Sequence, residues 1–246
     1  MRISFVVPAY NEEAIIASCL ASIRRELEHT EVETEVVVVN NASTDRTREI
    51  AQSIGGVRVV DEPVKGLVAA RSAGFRTTSG ELVANIDSDV ILTDGWLATV
   101  LDEFARDEQL VALSGPFIYY DLSPFTRSLV KVFYGIGYLT HTINHRVFHV
   151  GAMLQGGNFV IRRDAWERAG GFDTSIEFYG EDTDVAKRLS REGRVKWTFA
   201  LPVKTSGRRL KAEGVIWMSI KYTTNYLWIT WFGRPFTKKY KDIRPK

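Results

Sequence analysis

Short apolar runs alternate with helical patterns through the first half of the chain, and this rhythm constrains the fold more than any other feature. "ISFVVP" (3–8), "TEVVVVN" (34–40), "VRVVD" (57–61) and "ELVANID" (81–87) each read as strands. Residues 14–27 place Ile16, Leu20, Ile23 and Leu27 on one helical face. A second helix starts near Asp45 with Ser43 or Thr44 as its cap, a third covers 67–78, and residues 94–105 are helical again. Near-continuous valine runs suit strands buried on both faces. The βαβα order therefore predicts an α/β fold: a Rossmann-like, mainly parallel central sheet with helices on both faces.

After residue 110 the rhythm changes. "LVALSGPFIYY" is strand-like, and residues 122–148 then carry Phe125, Leu129, Val132, Ile136, Leu139, Ile143 and Val147 at helical spacing. "NFVIRR" (158–163) is a short strand, "RDAWERAGGFD" a short helix ending at glycines, and 181–193 a helix stopped by Gly193. No repeat or low-complexity linker divides the 246 residues, and 45% of them are apolar, enough for a sizeable core. Residues 1–110 and 111–213 are expected to form two halves of one continuous domain, with 214–246 as an aromatic and basic appendage. A net charge of +2 argues against nucleic acid as the partner. The single cysteine, Cys19, excludes an internal disulfide and suits a reducing, cytoplasmic setting. The apolar start is broken at Pro8, too soon for a signal peptide, and no run of about 20 apolar residues suggests a membrane span.

Three polar clusters sit where strands end, the place at which open α/β sheets bind ligands, and others lie on or before helices. In "NIDSDV", Asp87 and Asp89 flank Ser88 and point to the same side. Two such carboxylates repel unless a cation intervenes, and hard divalent ions take oxygen ligands; a solvated Asp-Ser-Asp turn is the plainer reading. In "PAYNEE" (8–13), Pro8 ends the strand, Tyr10 can lie against a ring and Glu12 can accept from a ribose hydroxyl, although acids also favour any helix start. "VVVVNNASTDRT" (36–47) delivers Asn40 and Asn41 to a strand end, and "KGLVAARSAG" (65–74) sets Arg71 on a helix where it could hold a phosphate or orient an acid, or simply be a surface charge. Gly156 and Gly157 permit close backbone approach. Glu181, Asp182 and Asp184 crowd a helix N-terminus, either as dipole-stabilised caps or as a general base.

In order, "VVPAYNEE", "NNASTDRT", "ARSAGF…GELVANIDSDV", "GGNFVIRRDAWERAGGFD" and "YGEDTDVAKRL" resemble glycosyltransferase family 2, inverting enzymes of the GT-A fold, over roughly three quarters of the chain. The resemblance implies a nucleotide-sugar donor, a divalent ion (Mn²⁺ or Mg²⁺) and direct displacement at the anomeric carbon. It implies a nucleotide-sugar pocket of Pro8, Tyr10, Glu12, Asn41, Arg71, Asp87 and Ser88, with Asp89 as metal ligand. It implies an acceptor side of Gly157, Asn158 and Glu181, with Asp182 as the base. The family usually has aspartate where Asn41 stands; asparagine can donate as well as accept, which leaves the nucleotide base open.

One departure is the stretch "VKTSGRRLKAEG" (203–214), which lacks the late histidine usual in the family. Arg208 and Arg209 are the candidates for a leaving-group clamp there, against a plain basic loop. His141, His145 and His149 share a helix face and read as polar surface rather than a zinc site. Residues 215–232 hold three of the six tryptophans and precede the basic "GRPFTKKYKDIRPK", which suits an anionic membrane surface, a homodimer or a core-packed helix alike. The acceptor would be a saccharide or a lipid-linked species. A sugar-phosphate nucleotidyltransferase would need a Gly-rich triphosphate loop after the first strand, which "PAYNEE" is not; a non-catalytic binding module would not need Asp87, Asp89 and Asp182 together.

Overall fold

The computed structural model describes residues 1–28, 30–147, 152–176 and 178–237, without the side chains of 145–147. The chain runs β1 (Arg2–Ala9), α1 (Ile16–Leu27), β2 (Glu33–Asn40), α2 (Thr47–Ser53), β3 (Val57–Asp61), α3 (Leu67–Thr77), β4 (Leu82–Ile86), β5 (Val90–Leu92) and α4 (Trp96–Arg106). It continues β6 (Leu110–Ser114), β7 (Phe117–Tyr119), α5 (Pro124–Val147), β8 (Asn158–Arg162), α6 (Arg163–Arg168), α7 (Glu181–Leu189), β9 (Arg194–Trp197), β10 (Val203–Thr205), α8 (Arg208–Glu213) and α9 (Val215–Phe232).

Seven strands form one sheet in the order β3-β2-β1-β4-β8-β6-β9, and only β8 runs against the others. Alternation along the strands sends side chains to two cores. Ile3, Phe5 and Val7 of β1 join Val36 and Val38 of β2 on one face, packed against Ile16, Leu20 and Ile23 of α1 and Trp96 and Val100 of α4. Val6, Val37 and Val39 face the other way, against Ala70 and Ala73 of α3, Trp166 of α6 and Val185 and Leu189 of α7. The runs of consecutive valine are thus explained by burial on both faces. A second sheet, β5-β10-β7, stands beside the carboxyl end of β4. The chain winds outward from β1 through β2 to β3, then returns to β4 on the other side of β1. The crevice opened by that reversal is the standard ligand position of such folds.

Several local expectations change. "LVALSGPFIYY" is two strands in two sheets, divided at Gly115 and Pro116, where a Cβ on Gly115 would lie 2.0 Å from the Leu201 carbonyl oxygen. Helix α2 begins at Thr47 rather than near Asp45, because Asp45 Oδ1 accepts from the Thr47 amide at 2.9 Å and makes the turn itself. Helix α7 ends at Leu189; Gly193 closes the turn beyond it by donating to the Leu189 carbonyl at 3.1 Å. Strands β5, β9 and β10 were not anticipated.

Candidate functional site

The loop after β1 is tied to the loop after β2, and together they form one wall of a cavity of about 140 Å³. Pro8, Tyr10, Glu12, Asn41, Lys65, Asp87 and Ser88 line it, with Arg208 and Arg209 across from them. The Glu12 amide donates to Thr47 Oγ1 at 2.7 Å and the Asn11 amide to Ser43 Oγ at 3.1 Å. Lys65 lies 3.8 Å over the Tyr10 ring. Asn41 lines the cavity, but its side chain is engaged with the protein. Its amide donates to the carbonyls of Glu62 at 3.0 Å and Val64 at 2.7 Å, while its Oδ1 accepts from the Gly66 amide at 2.8 Å. An aspartate could not make the two donations. Asparagine at 41 therefore shapes the loop that closes the pocket, and neither amide hydrogen is left to read a base.

The carboxyl end of β4 presents Asp87 and Asp89, and the fold answers their charge with two arginines. Arg71 of α3 is fully buried, 0% exposed, and bridges two elements: Nη2 to Asp87 Oδ1 at 2.8 Å and Nη1 to Glu181 Oε1 of α7. Gly157, at φ +82°, lets Asp87 in: a Cβ there would sit 2.3 Å from Asp87 Oδ2. Asp89 is held on both oxygens, Oδ1 by Thr205 at 3.4 Å and Oδ2 by Arg208 at 3.3 Å. Burial pushes the Asp89 carboxyl up to about 7, against the pull of Arg208. Burial likewise pushes Glu181 up to about 7, with Arg71 opposing.

Asp182 lies in the first turn of α7, where the helix dipole favours a carboxylate. Its Oδ2 accepts from the Gly156 amide at 3.0 Å and its Oδ1 from the Thr183 amide at 2.8 Å. Burial raises its affinity for a proton above that of an ordinary aspartate, with the two amides pulling the other way. Asp182, Asp87 and Asp89 all border a second cavity of about 330 Å³, which joins the first along Asp87, Asp89, Phe178, Ser206 and Arg209. Helices α5 and α9 line part of this larger space, with Val130, Phe133, Tyr134, Tyr222 and Tyr226 among the residues they contribute.

Asn158 corrects the expected acceptor side. It is fully buried, accepts from Trp96 Nε1 at 3.0 Å and donates to the carbonyls of Gly115 and Leu201, so it braces the sheet and borders neither cavity. Glu181 borders the larger cavity but is engaged with Arg71. Of the two clamp arginines, Arg208 reaches the acids, whereas Arg209 pairs with Glu213 at 3.1 Å and lies 4.8 Å over the Phe178 ring. Gly207, at φ −83°, precedes α8 where a Cβ would meet Leu122 at 2.5 Å. Phe178 and the α9 tyrosines are site residues that no sequence motif marked, and Lys65 and Thr205 stand in quoted stretches without having been singled out. The tyrosines alone carried a signal, their helical spacing.

Among the described residues no three His, Cys, Asp or Glu side chains converge to cage a metal. The side chain of His145, and all of His149, lie outside the described residues. The hard oxygen donors at the end of β4 nevertheless fit a divalent cation that completes its shell with diphosphate oxygens and water rather than with protein alone.

The mannosyltransferase PcManGT from Pyrobaculum calidifontis, solved in complex with GDP-Man and Mn²⁺, superposes with a TM-score of 0.69 at 22% identity over 92% of this chain and 61% of that one. Glucosyl-3-phosphoglycerate synthase from Mycobacterium tuberculosis, solved with Mn²⁺, UDP-glucose and phosphoglyceric acid, gives 0.61 at 25% identity over 92% and 78%. In sequence, the chain is 29% identical over 209 residues to a chondroitin synthase of Pasteurella multocida, covering 79% of this chain and 19% of that protein. It is 29% identical over 191 residues to the low-salt glycan biosynthesis hexosyltransferase Agl6 of Haloferax volcanii, covering 73% and 43%. The chain thus spans less than half the length of these two relatives. The family model described as glycosyl transferase family 2 matches residues 4–170, from β1 through α6: the chain belongs to glycosyl transferase family 2.

Proposed function

We propose that the protein is an inverting glycosyltransferase that moves a sugar from a nucleotide-sugar donor to an acceptor hydroxyl in one displacement. The observation that carries this reading is the shared cavity: Asp87 and Asp89 from the end of β4 and Asp182 from the start of α7 border one space, entered from the smaller cavity on one side. The nucleotide belongs in that smaller cavity, with Glu12 near the ribose and Tyr10 near the base. Asp87 and Ser88 lie against the donor, and Arg71 fixes Asp87 from behind. A divalent ion held at Asp89, Mn²⁺ or Mg²⁺, would neutralise the charge that grows on the diphosphate.

Asp182 takes the proton from the acceptor hydroxyl. Its amide partners fix the carboxylate, and its raised proton affinity makes it a better base than a solvated aspartate. A single base on the far side of the sugar from the leaving group gives inversion. The apolar and aromatic walls from α5 and α9 support a lipid-linked acceptor over a free polysaccharide, presented at the cytoplasmic face of a membrane. No described helix is long and apolar enough to cross a membrane, so the reading is one of surface attachment. A panel of nucleotide-sugars with Mn²⁺, assayed for nucleoside diphosphate release in the presence of polyprenyl-phosphate or glycolipid acceptors, tests the proposal; no release with any donor would reject it.

A further inference from the structure

Glu12 and Asp89 come from different strand ends, yet one guanidinium holds both. Glu12 is 3% exposed, and Arg208 takes its two oxygens as a fork: Nη1 to Oε2 at 2.8 Å and Nη2 to Oε1 at 2.5 Å. The same Nη2 lies 3.3 Å from Asp89 Oδ2. The other Asp89 oxygen accepts from Thr205. Every carboxylate oxygen of Glu12 and Asp89 therefore has a protein partner, and the Asp89 oxygens are the ones a divalent ion would need.

The placement of Arg208 is built in. Strand β10 pairs antiparallel with β5, with Thr205 opposite Val90, which brings residues 205–208 beside the acid that precedes β5. Asp121 then anchors the turn: Oδ1 accepts from the Gly207 amide at 2.6 Å and Oδ2 from Ser206 Oγ at 3.0 Å and Lys211 Nζ at 3.0 Å. The start of α8 is fixed, while the Arg208 side chain is one-third exposed.

We propose that Arg208 is the resident counter-ion of the donor site: without a donor it bridges Glu12 and Asp89, and it competes with a divalent cation for Asp89. The inference rests on the transferase reading for the roles of Glu12 and Asp89. Like charges cannot share one carboxylate at close range without cost, so an ion at Asp89 and the guanidinium at Asp89 exclude each other. Once displaced, the Arg208 fork has a natural target in a diphosphate, whose paired oxygens match its geometry and which enters the same cavity. One side chain thus offsets part of the negative charge of the empty site and then meets the incoming diphosphate. It stands in the stretch where the family's late histidine is missing.

The test is Mn²⁺ binding to the donor-free protein, read by electron paramagnetic resonance of the free ion. Arg208→Ala and the near-isosteric Arg208→Gln should bind Mn²⁺ about 10- to 100-fold more tightly than wild type, the range over which neighbours of a metal ligand act. The double variant Arg208→Ala/Asp89→Ala should lose that gain. Thermal melts decide which single variant is folded and used. Unchanged or weaker Mn²⁺ binding in the folded variant, or a gain that survives loss of Asp89, would overturn the proposal. Nucleoside diphosphate release by wild type is scored separately: its absence would reject the transferase reading, whereas release together with unchanged Mn²⁺ binding would reject only the role of Arg208.

Discussion

At the scale of single residues, the account turns on how buried acids are held. Asp182→Asn removes the proposed base but keeps a side chain of the same shape. Turnover should fall about 10²–10⁴-fold while donor affinity, measured by calorimetry, stays close to wild type. Because burial raises the proton affinity of Asp182, the acid limb of kcat/KM should lie above the ordinary aspartate value of 3.8, with activity lost as pH falls through it. A rate that is flat down to that value would argue for a solvated, non-catalytic carboxylate. Arg71 is a different case, a buried cation between two acids. Arg71→Met leaves Glu181 and Asp87 without it and should cost about 3–5 kcal/mol in urea unfolding. Glu181 already holds its proton up to about 7 in the folded state, and without Arg71 it holds it more tightly. The folded variant then binds more protons than the unfolded chain, so its stability should fall as pH rises through neutrality and be partly recovered near pH 5. The positions of Asp87 and Asp89 were legible as acids closing an apolar strand run, and that of Asp182 as one of three acids crowded at a helix N-terminus. Their partners were not. Arg71 meets Glu181 across 110 residues, and Arg208 meets Glu12 across 196, separations at which sequence carries no periodic signal.

Elements were legible in proportion to their length. Strands β1 to β4 and helices α1 and α5 carry an apolar pattern long enough to be read. Strands β5, β9 and β10, of three or four residues, do not complete one, and their existence depends on partners far away in the chain. That loss matters, since β10 is what carries Arg208 to Asp89. The junction of α7 and α9 is a second feature visible only in three dimensions. Gly180 precedes α7 at φ +82°, and a Cβ there would lie 2.0 Å from Ile229 Cδ1 of α9. Lys187 of α7 donates to the carbonyls of Ile229 and Thr230, both at 3.0 Å, near the end of α9. Gly180→Ala should therefore cost about 1–2 kcal/mol in backbone strain alone and more through displacement of Ile229, read as a lower denaturation midpoint. It should also slow transfer more than it weakens donor binding, because Asp182 rides on the helix that shifts. A variant as stable and as active as wild type would mean that the close approach is not needed.

At the scale of the whole molecule, α5 and α9 wall the larger cavity on one side and are exposed and apolar on the other. Phe125 is 80% exposed, with Val132, Ile136 and Leu139 along the same helix, and Trp217, 60% exposed, stands with Ile216 and Ile220 on α9. Since Tyr222 and Tyr226 of α9 border the cavity, the helix is part of the enzyme, and removing it would not isolate a membrane function. Substitution of the outer face does. The Trp217→Ser/Ile220→Ser variant should lose co-sedimentation with anionic vesicles while keeping its melting temperature and its turnover on a water-soluble acceptor. No vesicle binding by wild type, or binding by the variant equal to it, would contradict the proposed membrane attachment. The central claim, that the shared acidic cavity performs glycosyl transfer from a nucleotide-sugar, is tested most directly by acceptor-dependent release of nucleoside diphosphate across a donor panel, with wild type and Asp182→Asn side by side. The account predicts release from at least one donor by wild type and a loss of about 10²–10⁴-fold in the variant; equal release by both proteins, or none from any donor, would contradict it.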